Sequence, residues 1–469
     1  MSDEEFDDDK NCVKVENVNN ANSNNSGSNE GNEGVINCNP SQVDTDESDN
    51  EILLGDAIEG TLYSARFVLN TLLKLKSLEE SLEKDRQFED ELCYLWDMTM
   101  EQEVINFLLE QGVLEIFAEY IKNSDDKRLI EILVGIIANM CSIKDTCAIL
   151  LQKKDVLSTI LSLFACSDVL TLIQTGRLLH TMLCKLNTEE SLELYKIFPD
   201  ASVIKSIYYI LYNSVHDTLL ETTMETLNAI LRNWSNIVML DTEIDKNKFY
   251  DCIPNVEDVI ECTIEAFQTL LPQTNDEMRG DTHFTTKDTR RMTLFLSIQE
   301  TLTLFVNEPV STYSLYVDSL CDCFVTIGST LLRPEPILPV KTFEFDAIET
   351  IAGMLKFIEY PFDSQLLDCI LQIWWKLLDG IETESDEFGD CSTPEEDEEK
   401  ILLLQNLRDI ITETILKMDD VKMKEFLQNT TNTIEVLLRT EMSLNTDPRI
   451  AECVNKVKEQ LHQIEQVGE

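Results

Sequence analysis

Apolar side chains recur every three or four residues along most of this chain. Leu220, Met224, Leu227, Leu231 and Trp234 fall at steps of four, three, four and three. Val156, Ile160 and Phe164 form a second stripe with Leu157 and Leu161 beside it, and Ile348, Ile351, Leu355 and Ile358 form a third. A period near 3.6 puts such residues on one face of a helix, where they pack on a core. No alternating run flanked by hairpin turn residues competes with it. The pattern predicts an all-α chain from about residue 53 onward.

The stripes are punctuated. Thr99 with Gln102 three places on reads as a capping box, and Gly112 as a C′ stop, bracketing a short helix over about 100–110. Ser124, Asp125 and Asp126 offer caps for a helix running to about Cys141. Pro254, Pro272 and Pro361 stand at expected helix boundaries. Short helices joined by short caps suggest stacked pairs.

Three segments align as copies: Arg128–Met140, Thr171–Leu183 and Leu219–Leu231, whose starts are offset by 43 and 48 residues. Armadillo and HEAT units repeat every ~40–47 residues. At that period the roughly 400 residues after the N-terminal tail make about eight to ten helical units. The expected fold is therefore an armadillo/HEAT-like helical-repeat superhelix, each unit packed only on its neighbours.

Some stretches carry no stripe. Residues 1–52 are crowded with Asn, Ser, Gly, Asp and Glu, a composition expected to stay disordered as an acidic, Asn-rich tail. Ser2 and Ser48 sit there in acidic contexts, either as acidophilic kinase sites or as plain solvating residues. Residues 273–291 read as an exposed loop interrupting the repeats of 53–381. Residues 382–399 hold ten acids and no base, and repulsion predicts an extended acidic loop. The stripe resumes with Leu403, Leu404, Leu407, Ile411 and Ile415, so 400–469 is expected to continue the array.

Composition sharpens this picture. Of 469 residues, 37 are Lys or Arg and 88 Asp or Glu, a formal charge of −51. A field of that sign repels phosphates and anionic lipid, so direct nucleic-acid or membrane binding is not expected, whereas protein partners, basic ones especially, are favoured. Fourteen glycines leave little for phosphate loops or tight turns. Fourteen cysteines are scattered, and Cys141, Cys166, Cys184 and Cys369 sit in apolar runs, as reduced, buried residues do. The N-terminus, Met-Ser-Asp-Glu-Glu-Phe, is unlike a secretion signal, and the most apolar run, Ile132–Ala138, is far short of the ~20 residues that span a bilayer. Cytosol or nucleus is the expected compartment.

The sequence shows no constellation of residues spaced for catalysis or metal binding. His180, His216, His283 and His462 have no zinc-like spacing to one another. Cys321-Asp-Cys323 lacks a second pair and reads as helix surface. There is no nucleotide loop, His-Glu-x-x-His or Gly-x-Ser-x-Gly. Among 88 acids, sequence cannot single out a catalytic one. No catalytic residue, cofactor or metal is expected.

Particular segments resemble a known family. Gly55-Asp-Ala-Ile-Glu-Gly-Thr-Leu-Tyr-Ser64, the run 89–109 with its Cys93-x-x-Trp96-Asp-Met-Thr-Met100 core, and 131–141 with Gly135-x-x-x-Asn139-Met140 are similar to the serum amyloid A-like family. The likeness is close over about 55–190 and fades beyond. It implies an armadillo-type fold, nuclear placement, a part in promoting cell proliferation and no enzymatic activity.

Armadillo grooves hold extended peptides through polar side chains, often Asn, one helix per repeat. Asn139 stands where such an Asn falls, although the Trp usual four residues earlier is Gly135 here. The next copy offers His180 at an offset of 41 or Met182 at 43, and Asn228 makes a third rung. Asn139 is alternatively an internal bond between helices. Trp96, beside Met98, is either a buried anchor or a partner contact. Of adjacent Trp374 and Trp375, one is expected in the core and the other exposed. Two functions remain: a scaffold gripping partner segments in a groove, or an acidic carrier of basic proteins using 1–52 and 382–399.

Overall fold

The computed structural model describes residues 56–78, 81–240, 247–271, 286–332, 342–359, 363–387, 394–429 and 448–467. The expected tail 1–52, Pro272 and Pro361 lie outside them. Among the described residues the chain is helical throughout, its one β pairing an isolated bridge between Ala57 and Ser64. It divides into two compact units, Met1–Thr146 and Cys147–Glu469.

In the first unit, α1 (Ala65–Lys76) packs on α2 (Arg86–Met98), which packs on α5 (Lys127–Met140); α3 (Gln102–Glu110) and α4 (Val113–Asn123) complete it. Gly112 adopts the left-handed φ of 67° that ends α3 and admits α4, as its lack of Cβ allows. Asp126 caps α5 by accepting from Arg128 and Leu129 N–H at 3.0 and 3.1 Å, and its other oxygen accepts from Leu82 N–H at 2.7 Å. Burial raises the Asp126 carboxyl, but these donors together with Ser81 outweigh it and hold the group below its usual range. The Thr99 capping box is corrected. Thr99 is buried at the end of α2, its hydroxyl donates back to Trp96 O at 2.5 Å, and α3 has no side-chain cap.

α6 (Lys144–Gln152) carries the chain into the second unit, where the helices form two layers. Layer A is a ladder of α8 (Val169–Lys185), α12 (Asp217–Leu240), α15 (Thr286–Leu302), α18 (Thr342–Phe357), α20 (Pro394–Lys417) and α22 (Pro448–Val467), each packed on the next. Layer B runs alongside: α7 (Lys154–Leu161), α11 (Val203–Asn213), α14 (Val256–Leu270), α17 (Val317–Leu331), α19 (Ser364–Glu387) and α21 (Asp420–Asn429). Short helices α9 (Thr188–Tyr195), α10 (Phe198–Ala201), α13 (Asn247–Cys252) and α16 (Pro309–Tyr313) link the layers. This is a stack of helical pairs of the armadillo/HEAT kind. Its spacing is longer than the sequence period, because starts at Val169, Asp217, Thr286, Thr342 and Pro394 are 48, 69, 56 and 52 residues apart.

The predicted stripes face the seam between layers. Leu220, Met224, Leu227, Leu231 and Trp234 are all buried, each removal of such a side chain from water contributing about 1.5–3 kcal/mol. Trp234 stacks on Tyr195 with centroids 4.8 Å apart, and Phe249 stacks on Phe305 at 3.8 Å. Three readings shift. The helix α15 begins at Thr286, inside the stretch expected as loop, because Arg291 turns inward to acids on α12. Helices α19 and α20 enter the expected 382–399 loop from both ends, reaching Glu387 and starting at Pro394. Cys321 and Cys323 are buried rather than on the surface, whereas Cys184 is exposed and Cys166 half-buried.

Candidate functional site

The four singled-out residues fall in different units. In the first, Asn139 on α5 donates from Nδ2 to Trp96 O at 3.3 Å and Thr99 Oγ1 at 3.2 Å, tying α5 to the end of α2. Trp96 lies over Gly135: a Cβ at 135 would fall inside the indole. The ring that the sequence lacks at 135 is thus supplied from the neighbouring helix.

In the second unit, His180 and Asn228 reach the solvent side of layer A. There Gln174, Arg177, His180 and Thr181 of α8 stand beside Glu225 and Asn228 of α12, followed by Arg290, Thr293 and Ser297 of α15. Ser297 Oγ donates to Asn228 Oδ1 at 3.1 Å, and Arg290 pairs with Glu225. Burial, then the charge of Arg290, lowers the His180 imidazole below its usual value. Burial also lowers the Arg177 guanidinium, although that side chain is exposed. Burial raises Glu225, an effect Arg290 only partly offsets. Mixed donors and acceptors on successive helices suit an extended main chain.

Two residues that pattern reading missed hold this face in place. Asn233 on α12 donates to Leu183 O at 3.4 Å and Ser191 Oγ at 3.2 Å, and accepts from Tyr195 OH at 2.8 Å. It bridges to the end of the preceding ladder helix much as Asn139 does in the first unit. The sequence reading put the third rung five residues earlier, at Asn228; the Asn beside a buried Trp was the available signal. Arg291 is 7% exposed and donates to Glu221 Oε1 at 2.5 Å, Asp217 Oδ2 at 2.6 Å and Leu270 O at 2.8 Å. Burial lowers the Arg291 guanidinium, but these acceptors reverse the effect and raise it. In sequence Arg291 follows Arg290 in a stretch without an apolar stripe and gave no sign of this.

Among the described residues no group of three His, Cys, Asp or Glu could hold a metal, and no helix is long and apolar enough to cross a membrane. Cys184 Sγ lies 3.9 Å from His180 Nε2.

No protein-family model matches the chain. It is 22% identical over 399 residues to protein saal1 of Danio rerio, covering 81% of each chain. It is 31% identical over 189 residues to protein SAAL1 of Homo sapiens, a match spanning 38% of this chain and only 40% of the human one. Similarity to the Xenopus tropicalis protein is 31% over 205 residues, or 41% and 44% of the two chains. Among solved structures, a designed armadillo repeat protein superposes at a TM-score of 0.39 with 11% identity, covering 62% of this chain and 98% of that one. Another, in complex with the peptide (KR)4, gives 0.39 and 11% over 60% and 98%.

Proposed function

We propose that this chain is a SAAL1-family protein and a non-enzymatic interaction scaffold whose layer A face holds a partner segment. One observation carries the reading: exposed Arg177 and half-buried His180, Glu225 and Asn228 line up across α8 and α12, all reachable from water. Hydrogen-bonding side chains set on rigid helices recognise a main chain without reacting with it. We further propose that the scaffold works in the nucleus in the promotion of cell proliferation, as the resemblance of residues 55–64, 89–109 and 131–141 to the serum amyloid A-like family implies.

The test is affinity capture of full-length chain and of an Arg177→Ala/Asn228→Ala variant, quantified by mass spectrometry. A set of partners retained by the first and lost by the second, with both chains equally folded, supports the groove. An unchanged set refutes it. A substrate turned over by the purified chain would replace the scaffold with an enzyme.

A further inference from the structure

Layer B has its own solvent face, directed away from layer A. On α14, Glu257 and Glu265 are exposed there and Asp258 and Glu261 half-buried, and Val256–Leu270 contains no Lys or Arg. Next to it Val317–Leu331 also lacks any base and exposes Asp318 and Asp322. The same neighbours feel these carboxylates across helices. After burial, Glu261, Glu257 and Asp258 raise the Tyr316 hydroxyl. After burial, Asp363, Asp318 and Asp322 raise the Cys321 thiol to about 12, and Asp322 and Glu265 contribute to raising Cys323.

Acids alone mark only a soluble surface. This one is interleaved with aromatic and aliphatic side chains that the fold leaves uncovered. Tyr209 is 69% exposed on α11 and Tyr212, three residues on, 38%. Tyr212 OH donates to Glu261 Oε2 at 3.0 Å and Tyr316 OH to the same oxygen at 3.4 Å, so rings from two segments are held beside one carboxylate. Leu315, adjacent to Tyr316, is 86% exposed.

We propose that this face of layer B docks a Lys- or Arg-bearing segment of a partner protein, its cations on Glu257, Glu261 and Glu265 and its side-chain stems over Tyr209 and Tyr212. A cation gains from a tyrosine face as well as from a carboxylate, and the apolar stems of Lys and Arg cover aromatic surface. Tyr is enriched where proteins meet. Charge selects the occupant: the carboxylates of α14 and α17, which carry no base, repel phosphate and anionic lipid, and they outnumber exposed Lys205, one turn before Tyr209 on α11. The surface is separate from the layer A groove, so either can fail alone.

A fluorescent octapeptide of alternating Lys and Arg, carrying a benzophenone, tests this on the full-length chain. Photocrosslinks are expected within 203–213, 256–270 and 315–326. Binding by anisotropy should weaken about tenfold in Glu257→Gln/Glu261→Gln/Glu265→Gln. Tyr209→Ser alone should cost about threefold. Asp346→Asn/Glu349→Gln/Glu300→Gln, which removes the same charge from layer A, should change it less than twofold. Crosslinks concentrated in layer A or in 1–52, or equal weakening by both triple variants, overturn the proposal. Tyr209→Ser changes a largely exposed side chain, so together with the crosslink map it decides the matter even if a triple variant folds poorly.

Discussion

Layers A and B of the second unit draw on the same acid-rich composition and use it in opposite ways. In layer A the carboxylates are consumed by the neighbouring rung: Asp217 and Glu221 of α12 accept from Lys287 and Arg291 of α15, and Asp409 of α20 pairs with Arg449 of α22. In layer B the acids of α14 and α17 have no base on their own helices, and Glu261 of α14 accepts from two tyrosine hydroxyls instead. A formal charge of −51 therefore says little about where the negative field acts. The arrangement of a few arginines decides it, fastening one layer and leaving the other open to cationic ligands.

The strongest way to break the contrast is Arg291→Met. It strips Glu221 and the Leu270 carbonyl of a buried donor and should cost about 3 kcal/mol or more, read as a lower urea midpoint. Glu261→Gln in layer B should change stability by under about 0.5 kcal/mol; a comparable loss would show that layer B is also fastened by its charges. Next in size is Gly176→Leu. A Cβ at 176 already meets Thr222 Cγ2 at 2.9 Å, and Thr226 Oγ1 donates to Gly176 O at 3.2 Å, so α8 and α12 must part at a cost of about 1–3 kcal/mol. Gly353 of α18 has open space around it, and Gly353→Ala should instead stabilise by about 0.5–1 kcal/mol in a thermal melt.

Salt sharpens the comparison further. Raising ionic strength should stabilise the wild type by a few tenths of a kcal/mol per screened like-charge pair in layer B, and the layer B triple variant should lose that gain. A gain that survives belongs elsewhere. The smallest effect concerns acid. The hydrogen bond from Arg291 holds the Asp217 carboxyl below its ordinary range. Its contribution is full above the unfolded value of about 3.9 and is lost as pH falls through the lower folded value. Asp217→Asn should therefore flatten the stability loss below about pH 4 and leave the neutral limb parallel to wild type. An unaltered acid limb would assign the loss to other carboxylates.

Local pattern made the helices legible. The Leu220–Trp234 stripe is buried as its spacing requires, and Asp126 caps the helix it was expected to cap. Thr99 misled because a hydroxyl three places before Gln102 serves the end of one helix as readily as the start of the next; burial chose the former. The candidate site was half legible. His180 and Asn228 do share a layer, but Arg291, Asn233 and the Tyr212–Glu261–Tyr316 junction link residues 38 to 74 positions apart and leave no periodic trace.

What the sequence determined by itself is the material: helical rods with one apolar side, about a turn's accuracy at their ends, and an excess of negative charge. Those follow from interactions within four or five residues, which chain order displays directly. What only the tertiary structure decided is pairing: which carboxylate meets an arginine, which indole fills the place beside Gly135, and which tyrosines stay in water. Such partners are chosen by the stacking of one helix on another, and the energy of that choice resides in contacts between residues that chain order holds apart.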